Sequence, residues 1–202
     1  MNNIDNFFLD SNGIGEFSIH YFNYLNKVLS RIDKKSITQL ADLLLDARDK
    51  GKTIFFIGNG GSASTASHFC NDLSIGTQSY KKPFKAISLT DNNSILTALG
   101  NDYGYDQIFV KQLIVQAGEG DLLIGISASG NSKNIINSFE YARNNNIKEF
   151  AITGFDGGML KSMSKYGIHV ATEKNEYGIA EDTHLIIDHL VTSYIRMLLK
   201  DE

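Results

Sequence analysis

Two segments of this chain share one pattern: an apolar run of strand length ends in a glycine- and serine-rich turn that leads into a helical pattern. They are IFFIGNGGSAS, residues 54–64, and LLIGISASGNS, residues 122–132. Backbone N–H groups at a helix N-terminus attract an anion, and glycines let the main chain approach it closely. Two such turns predict a phosphate cradle, although glycine after a buried strand is also ordinary in loops between strands and helices.

Serine hydroxyls in the two turns would add hydrogen-bond donors without adding charge. The candidates are Ser62, Ser127, Ser129 and Ser132. No Gly-Lys-Ser or Gly-Lys-Thr follows either turn, so the lysine and the magnesium ligand of a nucleotide P-loop are missing. The GNGGS turn also lacks the spacing of a dinucleotide-binding fingerprint. The pattern therefore favours a small phosphorylated metabolite over a nucleotide.

Short apolar strands alternate with helical patterns along the chain. The predicted strands cover residues 53–57, 85–89, 122–126, 149–153 and 168–171, and the helices around them cover residues 64–75, 94–100, 106–117, 133–145, 159–165 and 180–199. Because each parallel connection needs a crossover, this alternation predicts an α/β fold with a mostly parallel sheet. Both turns would then open at the carboxyl ends of their strands, where open α/β sheets usually bind ligands.

Two amphipathic helical stripes precede the first strand. The first covers residues 17–28, and the second starts at a capping box over Ser36–Gln39 and continues to Gly51. With one proline and no long polar linker, the sequence predicts a single domain over residues 1–202. In it, an N-terminal helical segment of about residues 1–51 packs on an α/β core of residues 52–202.

Composition narrows the class of protein. The net charge of −4 and a pI near 5.7 argue against nucleic acid as a partner. The single cysteine, Cys70, excludes an internal disulfide framework, and its place in a helical pattern predicts packing in the core. The N-terminus has no basic region of the kind found in signal peptides, and no apolar stretch reaches the roughly 18 residues of a membrane span. We expect a cytoplasmic protein.

Titratable side chains form two groups, each on one predicted helix. His68 and Asp72 are spaced i, i+4 after the first glycine turn, so they share one helix face. The last helix carries a second group: Glu181, His184, Asp188 and His189. One such histidine is more often a satisfied core residue or a solvent-facing group than a ligand. Two clusters together favour proton transfer or metal binding.

At this point the motifs GNGGSASTASHFCNDL, SILTALGNDYGYDQIF, GDLLIGISASGNSKNI and EDTHLIIDHL resemble, in order and spacing, the sugar isomerase (SIS) domain of bacterial phosphoheptose isomerases. The resemblance covers about residues 36–199. It implies a three-layer α/β sandwich, a homotetramer with active sites between subunits, and isomerisation of sedoheptulose 7-phosphate to a heptose 7-phosphate. That reaction is the first step toward nucleotide-activated heptose for surface polysaccharide.

The resemblance also implies roles for individual residues. The four serines match phosphate-binding serines, and Asn59 and Gly60 lie in the same loop as Ser62; Asn92 and Glu181 match further substrate-binding positions. Asp72 matches the general base, and His189 matches the second acid/base residue. The zinc ligands of the family match His68, Asp72, Glu181 and His189.

Four matched positions depart from the family. Asp72 stands where the family has glutamate, and Glu181 stands where it has glutamine. Gly76 lies at about the position of an arginine, and Asn92 at that of an aspartate. Because aspartate is one methylene shorter than glutamate, the Asp72 carboxylate would contact the substrate only after a backbone shift or if the substrate bound deeper in the site. These departures bear on the sugar and the metal more than on the reaction class.

Two alternatives to a phosphoheptose isomerase remain open on the sequence. One is an isomerase of another phosphosugar. The other is a catalytically silent SIS module that binds a sugar phosphate or a partner protein. The presence of both Asp72 and His189 argues against the silent module.

Overall fold

A parallel sheet lies at the centre of the computed structural model, which describes residues 1–200. Its strands are Thr53–Gly58 (β1), Lys85–Ser88 (β2), Leu122–Ser127 (β3), Lys148–Thr153 (β4) and Gly167–His169 (β5), in the order β2-β1-β3-β4-β5. Every pairing between neighbouring strands is parallel. The helices are Asn3–Leu9 (α1), Ile14–Ser30 (α2), Lys34–Asp49 (α3), Gly61–Asn71 (α4), Asn93–Tyr103 (α5), Val110–Gln116 (α6), Lys133–Asn144 (α7), Gly158–Met163 (α8) and Tyr177–Leu198 (α9).

Helices cover both faces of the sheet, so the strands are apolar on both sides. Along β1, Ile54 and Phe56 pack in one core with α3, α4 and α9. Phe55 and Ile57 point the other way, into a second core with α6, α7 and α8. The predicted three-layer α/β sandwich is confirmed.

The strand order creates a switch point between β1 and β3. From β1 the chain crosses to β2 on one side of the sheet, and from β3 it crosses to β4 on the other. The loops after β1 and β3 therefore diverge at the carboxyl edge of the sheet, and a crevice opens between them. These loops are the two glycine- and serine-rich turns of the sequence.

Several predicted boundaries differ from the structure. The capping box at Ser36 is wrong: α3 begins at Lys34, and the Asp33 carboxylate accepts hydrogen bonds from the backbone N–H groups of Lys35 and Ser36, each at 3.1 Å. The helix predicted from residue 106 begins as a 3₁₀ turn, Tyr105–Gln107, and becomes α-helical only at Val110. The last strand ends at His169 rather than at residue 171.

Hydrogen bonds join the N-terminal helices to the start of α9 and to the segment before it. Glu176 is buried, and its carboxylate accepts hydrogen bonds from the backbone and side-chain nitrogens of Asn3, from the Tyr24 hydroxyl and from the Glu173 N–H. The Tyr21 hydroxyl donates to Asp182 on α9 at 2.5 Å. These contacts fix where α9 begins.

Two further features of the helices bear on the sequence analysis. Cys70 on α4 is partly buried against the core, as predicted, and burial raises the pKa of its thiol to about 11. Within residues 1–200, no helix combines the length and the apolar character needed to cross a membrane.

Candidate active site

A cavity of about 360 Å³ lies in the crevice between the two glycine-rich turns. It brings together seven of the residues predicted for substrate binding: Asn59, Gly60, Ser62, Ser127, Ser129, Ser132 and Glu181. Tyr177, which the sequence analysis did not single out, also lines it. Residues from three separate stretches of the chain therefore form one pocket.

Two helix N-termini face this cavity. Helix α4 begins at Gly61, directly after Gly60, whose φ of +54° favours glycine. Helix α7 begins directly after Ser132. Neither N-cap residue makes a side-chain capping hydrogen bond. The first backbone N–H groups of both helices are therefore left to bind an anion, and the two helix dipoles favour it.

The side chain of Asn59 is held in place from two directions. It forms a reciprocal pair of hydrogen bonds, each 2.9 Å long, with the amide of Asn134 on α7. Its Oδ1 also accepts a hydrogen bond from the Tyr105 hydroxyl at 2.8 Å. Hydrogen bonds of Asn59 thus link the first turn to α7, which follows the second turn, and to the GNDYGY segment, residues 100–105. The motif was visible in the sequence, but nothing there showed which residue it contacts.

Glu181 lies against the start of α4. A Cβ atom added at Gly61 would overlap the Glu181 carboxylate, so the end of this side chain packs directly on the backbone at the start of α4. Burial, and then the nearby charge of Asp182, raise the pKa of Glu181. This side chain therefore faces the sugar-phosphate cavity and not the histidines further along α9.

A second group of side chains lies near the end of α4 and in the middle of α9. His68 Nε2 on α4 is 3.0 Å from His189 Nε2 on α9. Asp72 Oδ2 is 3.3 Å from the nitrogen of His68 and 3.9 Å from that of His189. Asp188 joins them, and one ligand atom from each of the four residues lies within 4.8 Å of the others. About half of each histidine side chain is exposed.

This histidine–carboxylate cluster differs from the set that the resemblance implied. It contains His68, Asp72 and His189, but its fourth member is Asp188, and Glu181 is not part of it. Burial, together with the charge of Asp72, raises the pKa of Asp188 to about 8. The sequence analysis noted Asp188 on the last helix without assigning it a role.

The cavity and the cluster are joined by a pair of helices that run in the same direction. Gly61 meets Glu181 near the start of the pair, and His68 meets His189 near its end. The separation of seven positions between Glu181 and Asp188 corresponds to about 10 Å along a helix axis. The cavity and the cluster are therefore about 10 Å apart along the helix pair.

Three other residues near the site have clear positions. Arg196 lines a small cavity of about 180 Å³ together with Asp72 and Gly76. Gly76 lies at about the position of the family's arginine, and Arg196 of α9 places an arginine side chain beside it. Asn92 accepts a hydrogen bond from the Ile95 N–H at 3.1 Å and caps α5; it does not line the phosphate cavity. Its neighbour Asp91, which the sequence analysis missed, accepts hydrogen bonds from the hydroxyls of Ser67, Ser88 and Thr90.

The comparisons with known proteins first define the class. Residues 20–154 match the sequence model of the SIS domain. The structure superposes on the crystal structure of a phosphoheptose isomerase from Neisseria gonorrhoeae with a TM-score of 0.82 and 31% identity, covering 91% of this chain and 98% of that one. The protein is therefore a SIS-domain protein.

Curated relatives narrow the class to a family. The phosphoheptose isomerase of Aliarcobacter butzleri is 35% identical over 90% of this chain and 94% of its own length. That of Akkermansia muciniphila is 38% identical over 79% of this chain and 83% of its own. The chain belongs to the phosphoheptose isomerase family, and it is an isomerase. The resemblance stated from the motifs is confirmed.

Proposed function

We propose that this protein interconverts sedoheptulose 7-phosphate and D-glycero-D-manno-heptose 7-phosphate, the step that leads to nucleotide-activated heptose for surface polysaccharide. One observation carries the proposal: the anion-binding cavity and the histidine–carboxylate cluster lie along the same two helices of a chain in this family. The cavity suits the phosphate, and the cluster suits proton transfer at the other end of the sugar.

The phosphate would bind between the N-termini of α4 and α7. Ser129 and Ser132 line the cavity and offer hydroxyl donors. The Ser127 side chain accepts a hydrogen bond from the Gly130 N–H at 3.1 Å and so shapes the second turn. The Asn59 side chain is held by Asn134 and Tyr105, so it would position the first turn in addition to lining the phosphate site.

Aldose–ketose isomerisation moves a proton between adjacent carbons through an enediol. The Asp72 carboxylate would take the proton from C1 of the ketose while His189 protonates the oxygen on C2, which gives the enediol. The proton on Asp72 would exchange with solvent during the lifetime of the enediol; Asp72 would then protonate C2, and His189 would take the proton from the oxygen on C1 to form the aldehyde. Each such transfer contributes typically about 10²–10⁴-fold to the rate.

The cluster also fits a divalent metal ion, most simply zinc. Two imidazoles and two carboxylates are an acceptable donor set for zinc, and one of these carboxylates is buried. We assign His68, Asp72 and His189 as the residues that would hold the ion. Because a metal-bound ligand atom carries no proton, the proton transfers by Asp72 and His189 apply to the cluster without the ion. A bound zinc ion supplies Lewis acidity toward the carbonyl and the enediolate. Within one chain, Glu181, which the resemblance implied as a further ligand, lines the cavity between the two turns instead.

We also propose that the active protein is a homotetramer in the cytoplasm. Large apolar side chains are exposed on α1, α2 and α9 within residues 1–200: Phe8, Leu9, Ile14, Ile19, Phe22, Leu190, Tyr194, Met197 and Leu198. Apolar surface of this extent is typical of contacts between subunits. A charged sugar phosphate does not cross membranes unaided, which supports a cytoplasmic site of action. Light scattering on the purified protein should give four times the mass of one chain.

A substrate panel tests the proposed activity against its alternatives. The kcat/KM for sedoheptulose 7-phosphate should exceed that for fructose 6-phosphate and ribulose 5-phosphate by at least tenfold, a difference of about 1.4 kcal/mol in transition-state binding. A preference for one of the shorter sugars would point to another phosphosugar isomerase. Tight binding of sugar phosphates without turnover of any of them would point to a silent module.

A further inference from the structure

Arg196 is a cation without a partner beside the histidine–carboxylate cluster. It lines the cavity of about 180 Å³ whose walls also include Asp72, Gly76, Thr192 and Ser193. The residue is exposed, and within residues 1–200 its guanidinium forms no hydrogen bond, ion pair or ring contact. The five N–H donors of this side chain are therefore free to bind a ligand.

Its own helix does not explain where the guanidinium lies. The residues three and four positions from Arg196 on α9 are its helical neighbours, and they are neutral or basic: Thr192, Ser193, Leu199 and Lys200. The carboxylate in the same cavity is that of Asp72, and the two groups are too far apart to form an ion pair. Within the described part of the chain, no stabilising ion pair therefore accounts for an arginine at this position.

The gap between Arg196 and Asp72 has room for part of a ligand. A cavity of about 180 Å³ holds about six groups the size of a water molecule, at about 30 Å³ each. Gly76 keeps this gap open, because a Cβ atom there would lie 3.7 Å from the Asp72 Cβ and a longer side chain would begin beside the carboxylate. The exposed Ser193 hydroxyl lines the same gap. The gap is polar and suits the hydroxylated end of a sugar.

We propose that Arg196 is a further catalytic residue, whose guanidinium donates hydrogen bonds to the oxygens on C1 and C2 of the substrate. The proposal rests on the proposed function, since it concerns the same reaction. While Asp72 takes the proton from C1, negative charge develops on the oxygen of C2. The two oxygens of the planar species lie side by side, as do those of a carboxylate, and the arginine fork matches that spacing.

A role of this kind acts on the transition state more than on the bound substrate. Donors aimed at a developing negative charge raise kcat, and removal of one such donor typically lowers it about 10²–10³-fold. Arg196→Ala should therefore lower kcat at least ~100-fold and change KM less than about threefold. Lys200→Ala is the matched control: it removes an exposed cation one turn further along α9 that does not line this cavity. Its kcat should equal that of the wild type.

Chemical rescue separates contact with the substrate from a structural role. Because Arg196 is exposed, its removal leaves a space that a free guanidinium ion can enter from solvent. The activity of Arg196→Ala should rise at least ~10-fold, with saturation, on addition of millimolar methylguanidinium chloride. Sodium chloride at the same ionic strength should have no effect. Thermal unfolding checks that the variant is folded, and a loss of kcat that methylguanidinium does not restore would overturn the proposal.

Turnover by the wild type distinguishes failure of this proposal from failure of the proposed function. A wild type that leaves sedoheptulose 7-phosphate unchanged would overturn both. Turnover by the wild type with an equal kcat in Arg196→Ala would overturn the role of Arg196 alone. A low kcat in Arg196→Ala, restored by methylguanidinium and absent from Lys200→Ala, is the result that supports it.

Discussion

Asp72 lies where α4 ends and a single π-helical turn, Asp72–Gly76, begins. The sequence analysis expected its shorter side chain to need a backbone shift in order to make contact. The Asp72 carboxylate lies 3.3 Å from His68 Nε2 although aspartate is one methylene shorter than glutamate. The irregular turn begins at Asp72. π-Helical turns are frequent at functional sites. No signal in the sequence marked this one, because DLSIG continues an ordinary helical pattern.

Substitutions at Asp72 test its role as the carbon base. Asp72→Asn keeps the size of the side chain but cannot accept a proton, so turnover and exchange of the substrate proton with solvent should both fall by at least ~100-fold. Asp72→Glu should retain measurable activity, since it restores the longer acid. Thermal unfolding of both variants serves as the folding control. Wild-type turnover in Asp72→Asn would make Asp72 structural.

His184 predicts how stability depends on pH. Burial lowers the pKa of this histidine to about 4, from about 6.5 in an unfolded chain. The unfolded state therefore binds more protons between these pH values, and the free energy of unfolding is largest above about pH 6.5 and falls as the pH drops toward 4. The loss is on the order of 3 kcal/mol over that window.

Urea unfolding at a series of pH values, with a chelator present to keep the cluster free of metal, measures this slope. A His184→Gln variant, which does not titrate at this position, should show a flatter dependence between about pH 7 and pH 4.5. Parallel curves for the two proteins would show that His184 does not contribute. The charge of His169 also lowers the pKa of His184. Both the wild type and His184→Gln contain His169, so its own titration does not distinguish them.

At the scale of elements, the phosphate cavity depends on the loop between β3 and α7. Ser129 lines the cavity and is only partly buried, so its hydroxyl is available to the substrate. A hydrogen bond to a charged group contributes roughly 1.5–3 kcal/mol. Ser129→Ala should therefore raise KM by about 10- to 100-fold and change kcat little. Ser162→Ala, on the exposed side of α8, is the matched control; an unchanged KM in Ser129→Ala would remove Ser129 from the cradle.

The contact between the helix pair α4 and α9 makes a separate prediction. Gly61→Ala would place a Cβ onto the Glu181 carboxylate, so this side chain must move, at a cost of about 1 kcal/mol, the low end for overpacking. In a Glu181→Ala background the same change should cost much less, because the overlapping group is gone. Denaturant unfolding of the four proteins gives the coupling free energy. Equal costs in both backgrounds would mean that the two side chains do not meet.

The elements themselves were largely predictable from the sequence. The runs that became β1 and β3 are apolar on both faces, which is the pattern of buried parallel strands, so their ends fell within a residue of the structure. The start of α3 was missed because Asp33 lies before two lysines and competes with Ser36 as a cap. The start of α9 was missed by three residues because its cap makes no side-chain hydrogen bond that a sequence motif would reveal.

At the scale of the whole molecule, the site gathers residues that are more than one hundred positions apart. The serines of the cradle could be predicted because the carboxyl ends of neighbouring parallel strands meet at one edge of the sheet. The cluster could not be completed in this way. Which residues of α9 lie beside His68 depends on how α9 packs against α4, and the spacing of residues along the chain does not show that.

The central claim is that this chain moves a proton between C1 and C2 of sedoheptulose 7-phosphate through an enediol. The most direct measurement is NMR of the reaction in heavy water. The account predicts a heptose 7-phosphate that carries deuterium at C2, together with deuterium at C1 of the remaining ketose. Folded wild-type protein that yields neither product nor deuterium would contradict the account, as would a product formed with full retention of the substrate hydrogen.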